Sequence, residues 1–187
     1  MRTNLVNDPM NCPALFLDRD GVINVDYGYV HTPENFHFID GIFDLVSAAN
    51  RLGYLVIVVT NQSGIGRGYY SEAQFHALTE WMKSKFTERG GQIDGVYFCP
   101  FHPEFGIAQY RRETELRKPG PGMFLQAESE LGINLAQSIL VGDQITDIVA
   151  GRAAGIRKLL HLFGKKQDVD TIVITHLSQA LPYLEQS

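Results

Sequence analysis

Asp18 and Asp20 stand two residues apart in Phe16-Leu17-Asp18-Arg19-Asp20-Gly21, at the end of an apolar segment and directly before a glycine. Alternate residues of an extended chain share a side, so both carboxylates can address one reacting group. A carboxylate can attack phosphorus and form an aspartyl-phosphate. A second one beside it can protonate the leaving oxygen and later activate water. Asp18 is therefore the candidate nucleophile and Asp20 the candidate acid and base. The alternative is a pair of solvated turn aspartates, and placement between an apolar strand and Gly21 argues against it.

Three further segments carry groups suited to the same chemistry. Asp143, in Val141-Gly142-Asp143-Gln144-Ile145-Thr146-Asp147, also follows an apolar run. With Asp18 and the backbone carbonyl of Asp20 it offers hard oxygen ligands of the kind Mg²⁺ takes. Asp147, near the start of the next helix, either orients the site or caps that helix. In Thr60-Asn61-Gln62-Ser63-Gly64-Ile65-Gly66-Arg67-Gly68 a hydroxyl precedes small residues whose backbone N–H groups can cradle a phosphate. Turns need glycine too, so this segment alone decides little. In Arg117-Lys118-Pro119, Lys118 can neutralise the phosphoryl oxygens and Asp18. Arg117, with its planar fork, can take a second anionic group. Plain surface charge is the alternative for both.

These residues need elements that bring them together. Ala14–Asp18, Leu55–Val59, Val96–Cys99 and Ile139–Val141 read as short apolar strands, and Lys158–Leu162 and Thr171–Ile174 as two last ones. Continuous apolar, β-branched runs of this kind fit a parallel sheet buried on both faces. Between them lie helical patterns: Ile42 to Leu52 closed by Gly53, a helix from Ser71 opened by the Ser71/Gln74 capping box, Met123–Leu131 closed by Gly132, and one after Asp143 closed by Gly155. A terminal helix is expected around Leu177–Glu185. Asn24–Asp40 reads as a loop or small flap, Asn61–Gly68 as a Gly-rich loop, and Pro100–Gly120 as a long polar loop. Alternating strands and helices predict an α/β fold, a parallel sheet with helices on both faces. Ligands of such sheets bind beyond the carboxyl ends of the strands, where Asp18, Thr60, Cys99 and Asp143 all fall.

The 187 residues suffice for one domain, expected over residues 13–187 after a loose polar stretch at 1–12. A net charge of −5 gives no electrostatic footprint for nucleic acid. No apolar run approaches the roughly 20 residues of a membrane span. The N-terminal residues have no hydrophobic signal core. Cys12 and Cys99 do not make a disulfide scaffold. The expectation is a cytoplasmic monomer acting on a small molecule.

The ordered set of Asp-x-Asp, Thr60, Lys118-Pro119 and Gly142-Asp143-x-x-x-Asp147 resembles the haloacid dehalogenase superfamily of phosphotransferases over roughly residues 14–160. A narrower set is similar to the D-glycero-D-manno-heptose-1,7-bisphosphate 7-phosphatases and the related histidinol-phosphatases: Asp18 to Asn24, Gly28-Tyr29-Val30, Thr60 to Gly68 and Arg117-Lys118-Pro119. The resemblance implies a three-layer Rossmann-like fold without a large cap domain. It implies Asp18 as nucleophile, Asp20 as acid and base, Thr60 and Lys118 steadying the phosphoryl group, and Mg²⁺ on Asp18, Asp20 and Asp143. Asp26 to Tyr29, Thr60 to Ser63 (Asn61, Gln62 and Ser63 included) and Arg117 would meet the substrate, a heptose bisphosphate of lipopolysaccharide precursor synthesis. Histidinol-phosphatase activity and a catalytically silent phospho-ligand module are the two rival readings. Arg117 favours an anionic second group over the former, and retention of both Asp18 and Asp20 argues against the latter.

Two departures from the family pattern bear on specificity. Many relatives carry a zinc loop with Cys-x-His and then Cys-x-Cys before Arg-Lys-Pro. Here Phe101 stands at the His position, His102 is one residue late, and Thr114 and Leu116 replace the later cysteines. Cys99 and His102 leave a tetrahedral N/S set half filled, so no structural zinc is expected. Packing of Phe101, Phe105, Ile107 and Leu116 is expected to hold the loop instead. The second departure is Gln144, where heptose-type relatives often have a Lys that reaches the substrate.

Overall fold

The computed structural model describes residues 12–164 and 170–185. Of the stretch expected to be loose, residues 1–11 lie outside the described residues, while Cys12 bridges to Ile133. Six strands form one sheet: β1 (Ala14–Leu17), β2 (Leu55–Asn61), β3 (Gly95–Cys99), β4 (Ile139–Gly142), β5 (Lys158–Leu162) and β6 (Thr171–Ile174). Their order is β3-β2-β1-β4-β5-β6, and every neighbouring pair is parallel.

Side-chain alternation along the strands divides the core into two layers. Leu15, Leu17, Val56, Val58, Val141 and Leu160 face one side, against α1 (Ile42–Arg51) and the Leu78, Met82 and Phe86 stripe of a later helix, Glu72–Thr87. Ala14, Phe16, Ile57, Val59, Leu140 and Leu159 face the other, against helices at Gly122–Leu131 and Ile145–Ala153. Both faces are covered, which is why the strands read as unbroken apolar runs.

The chain runs outward from β1 through β2 to β3, then returns to β4 on the other side of β1. That reversal opens a crevice at the carboxyl ends of β1 and β4, the usual ligand position in such sheets. Leu17 pairs with Val141 across these strands, so the residues that follow, Asp18 and Gly142-Asp143, leave the sheet side by side.

The elements differ from expectation in three places. β2 continues through Thr60 and Asn61, which pair with Phe98 and Cys99 of β3. The expected Gly-rich loop after it contains a helical turn, α2 (Ser63–Gly66), followed by α3 (Glu72–Thr87). The glycine at position 64 serves a close approach rather than looseness: a Cβ there would sit 2.3 Å from Cε1 of Tyr70. Past α4 (Gly122–Leu131) and α5 (Ile145–Ala153), the terminal helix divides into a 3-10 segment at Leu177–Ala180 and a single turn, α6 (Leu181–Leu184). The Ser71/Gln74 capping box, the left-handed Gly132 after α4 and the strand expected at Lys158–Leu162 all form.

Candidate active site

Lys118 is the centre of the site. It is 3% exposed. Its Nζ lies 2.9 Å from Asp18 Oδ1 and 2.7 Å from Asp147 Oδ1, and donates to the Val59 carbonyl at 2.9 Å. The main chain of this lysine is clamped from β2. Asn61 Nδ2 donates to the Lys118 carbonyl at 3.0 Å, and the Lys118 N–H donates to Asn61 Oδ1 at 3.1 Å. Burial by itself would lower the lysine pKa, but Asp18 and Asp147 outweigh it and the group is raised, so it stays an ammonium.

Asp18, Asp143 and Asp147 each bring a carboxylate oxygen to a point where these atoms lie within 4.8 Å of one another. Burial raises Asp18 well above an ordinary carboxyl, with Lys118 pulling it down and Asp147 and Asp143 pushing it up. Burial likewise pushes Asp143 up to about 6, partly offset by a 2.6 Å hydrogen bond from Gln144 Nε2. Its Oδ1 is buried and has no hydrogen-bond partner. Three crowded carboxylates against one ammonium, with a buried carboxylate oxygen unsatisfied, form a donor set that fits a divalent cation with a preference for hard oxygen. Asp147 has other commitments: its Oδ2 accepts the Gln144 N–H at 2.9 Å, closing a capping box on α5, and its Oδ1 holds Lys118.

Asp20 is held by a separate set of donors. Arg19 reaches it with Nη2 at 2.8 Å, Asn24 Nδ2 at 3.0 Å and Gln62 Nε2 at 3.0 Å. Gln62 Nε2 also donates to Thr60 Oγ1 at 2.8 Å, and Tyr70 donates to Gln62 Oε1 at 2.5 Å. Burial pushes the Tyr70 phenol up to about 12, so it remains a donor across the physiological range. One chain of hydrogen bonds thus links Thr60 to Asp20.

A cavity of about 370 Å³ opens over these groups. Asp18, Asp20, Thr60, Lys118 and Asp143 line it, together with Asp26, Tyr29, Gln62, Ser63 and Gln144. Asn61 also borders it, with its amide spent on Lys118. Arg117 is not brought to this cavity. Its guanidinium donates to the Phe101 carbonyl at 3.3 Å and borders a neighbouring hollow with Pro103, Glu113 and Glu115.

At the end of β3, just before the long loop, Cys99 is buried and burial raises its thiol. His102 Nδ1 accepts from the N–H groups of Glu104 and Phe105, and Thr114 Oγ1 from that of Leu116. Phe101 and Leu116 pack on the core, and Arg112 stacks on Phe101 at 3.8 Å. The expectation that Phe105 and Ile107 pack alongside them is corrected. Both are more than half exposed, and Phe105 instead carries the Arg67 guanidinium 4.4 Å above its ring.

Two groups escaped the sequence reading. Arg19 sat unnoticed between the two aspartates, yet it is 2% exposed and also donates to the Val30 carbonyl at 2.7 Å. A cation inside an otherwise apolar strand end, next to a carboxylate, was the available signal. Tyr70 gave none, because its partner Gln62 is set by the fold of α2.

A family model described as HAD-hydrolase-like matches residues 115–180. The D-glycero-beta-D-manno-heptose-1,7-bisphosphate 7-phosphatase of Vibrio cholerae is 48% identical over 178 residues, 92% of this chain and 96% of that protein. The D-glycero-alpha-D-manno-heptose-1,7-bisphosphate 7-phosphatase of Burkholderia mallei is 60% identical over 143 residues, 76% of each chain. Among solved structures, the D,D-heptose 1,7-bisphosphate phosphatase from B. bronchiseptica, complexed with magnesium and phosphate, superposes with a TM-score of 0.82 at 26% identity, covering 93% of this chain and 98% of that one. The chain belongs to the haloacid dehalogenase superfamily, in its family of heptose-1,7-bisphosphate 7-phosphatases.

Proposed function

We propose that the chain is a Mg²⁺-dependent phosphatase that hydrolyses D-glycero-D-manno-heptose 1,7-bisphosphate at position 7. The observation that carries this reading is the buried Asp18–Lys118–Asp147 array beside Asp143, at the mouth of β1 and β4. Asp18 attacks phosphorus and forms an aspartyl-phosphate. Lys118, fixed by Asp147 and the Val59 carbonyl, faces the phosphoryl oxygens with a full positive charge. Thr60 adds a hydroxyl to the same group. Asp20 donates its proton to the departing C7 oxygen and then takes one from the water that attacks the intermediate. Its carboxylate faces Arg19, Asn24 and Gln62. Proton transfer therefore requires it to turn from them as substrate enters. Asp18, Asp143 and the Asp20 carbonyl would hold Mg²⁺, which would supply charge neutralisation for the transferring group. Asp26, Tyr29, Ser63 and Gln144 meet the sugar. Arg117 lines the neighbouring hollow and reaches the second phosphate only by leaving the Phe101 carbonyl.

Specificity is a ratio of kcat/KM values, so the test is a rate comparison. Both anomers of the heptose bisphosphate, the heptose 1-phosphate and 7-phosphate, and histidinol phosphate are supplied with Mg²⁺. The expected result is release of the 7-phosphate, with at least about a hundredfold preference over histidinol phosphate. Equal rates on histidinol phosphate overturn the substrate assignment, and no turnover of any ester overturns the enzyme. We further read the protein as cytoplasmic and as a monomer. Sedimentation at working concentration checks the monomer, and a dimer would refute it.

A further inference from the structure

His161 is buried at the carboxyl end of β5, 5% exposed, and has no part in the chemistry above. It pairs with Gly142 across the β4–β5 ladder, one residue before Asp143. From there its Nε2 lies 2.9 Å from the Asp143 carbonyl oxygen. A carbonyl oxygen only accepts, so Nε2 carries the proton and the ring is the donor. Its other nitrogen, Nδ1, is buried without a partner. The ring is locked in this orientation: a Cβ on Gly164 would lie 2.1 Å from Nδ1, so the chain after β5 closes directly over it.

Asp143 needs such a donor. It has left the β4 ladder, and a partly buried carbonyl with no ladder partner is costly unless another donor meets it. Gln144 is the side chain that donates to its carboxylate, at Oδ2, and Oδ1 has no hydrogen-bond partner. The direction of the carboxylate therefore depends on how the peptide unit of Asp143 is oriented, and His161 is the side chain that fixes that unit.

We infer that His161 is a positioning residue for the metal site, its Nε2–H anchoring the Asp143 carbonyl so that the Asp143 carboxylate is aimed at the bound cation. This rests on the assignment of Asp143 as a Mg²⁺ ligand. Outer partners that orient a ligand set metal affinity by about tenfold to a hundredfold when removed.

The test uses His161→Gln, whose Nε2 reaches to the place of the imidazole Nε2, and His161→Asn, whose amide ends a bond short of it. Mg²⁺ binding to the full chain is measured by calorimetry without substrate, and KM for the heptose bisphosphate is measured at saturating Mg²⁺. The expected result is Mg²⁺ affinity within about threefold of the parent for His161→Gln and at least about tenfold weaker for His161→Asn, with KM unchanged in both. Equal Mg²⁺ affinity in the parent and both variants overturns the role. So does equal weakening in both variants that follows a loss of melting temperature, since burial alone would do that. If the parent itself binds no Mg²⁺, the metal assignment falls rather than the action of His161 on it. In that event unchanged amide shifts around Asp143 in His161→Asn overturn the anchoring as well.

Discussion

At the scale of single residues, the site is a problem of unequal charges solved by burial. Asp18 has to be a nucleophile, yet it is buried and shares one ammonium with Asp147. Replacing Asp18 by Asn removes the nucleophilic oxygen and leaves Lys118 paired with Asp147. Turnover should fall by at least about a thousandfold, while the circular dichroism spectrum and melting temperature stay close to the parent. Near-normal turnover would rule out the aspartyl-phosphate route. Lys118→Met behaves differently, since it strips the cation from two buried carboxylates. Breaking a buried pair by removing one partner costs about 3–5 kcal/mol, so this variant should lose both turnover and stability in denaturant titration. A stable, inactive Lys118→Met would mean that the carboxylates do not depend on the lysine. The types of these residues were legible in the sequence. The Lys118–Asp18 pairing was legible as well. The pairing of Lys118 with Asp147 was not, because one lies in the long loop after β3 and the other in α5, and Arg19 looked like a spacer.

At the scale of elements, the strands were the easiest to read. β1, β4 and β2 up to Val59 are apolar because the sheet is covered on both faces. Helix α3 was legible from its capping box, which forms with both bonds in place. Helix α2 was not, because Ser-Gly-Ile-Gly has the composition of a turn. Its helical turn is held by tertiary contacts, with Ile65 buried against Tyr70 and Phe75. The long loop after β3 was read by what it lacks, and its hold comes from particular contacts: Phe101 and Leu116 on the core, Arg112 on Phe101, and Tyr110 donating to Glu72 at 2.8 Å. These contacts need no metal. Metal analysis of the purified protein should find no stoichiometric zinc, and a strong zinc chelator should leave the melting temperature unchanged in Mg²⁺-free buffer. One zinc per chain, or a chelator-induced loss of stability, would show that Cys99 and His102 recruit ligands after all.

At the scale of the whole molecule, the carboxylate cluster couples metal binding, pH and stability. Asp143 titrates near pH 6 in the metal-free fold, against 3.8 for an ordinary aspartate, chiefly because it is buried. Between those values the folded chain keeps a proton that the unfolded chain has released. Stability from this group is therefore complete below about pH 4 and is lost as pH rises through about 6. Asp18 is raised for the same reason and acts in the same direction. Mg²⁺ binds the ionised carboxylates, and it stabilises the fold only to the extent that it binds the native state. Below about pH 6 the cation must displace protons, and above it the sites stand ready. The rise in melting temperature on adding millimolar Mg²⁺ should therefore be small at pH 5 and larger at pH 7.5, with the metal-free protein losing stability over the same interval. Asp143→Asn should abolish the Mg²⁺ effect at both pH values and make the metal-free profile shallower, leaving the share that comes from Asp18, since an amide has no proton to lose. A Mg²⁺ effect as large at pH 5 as at pH 7.5 would mean that the cation binds elsewhere than on these carboxylates.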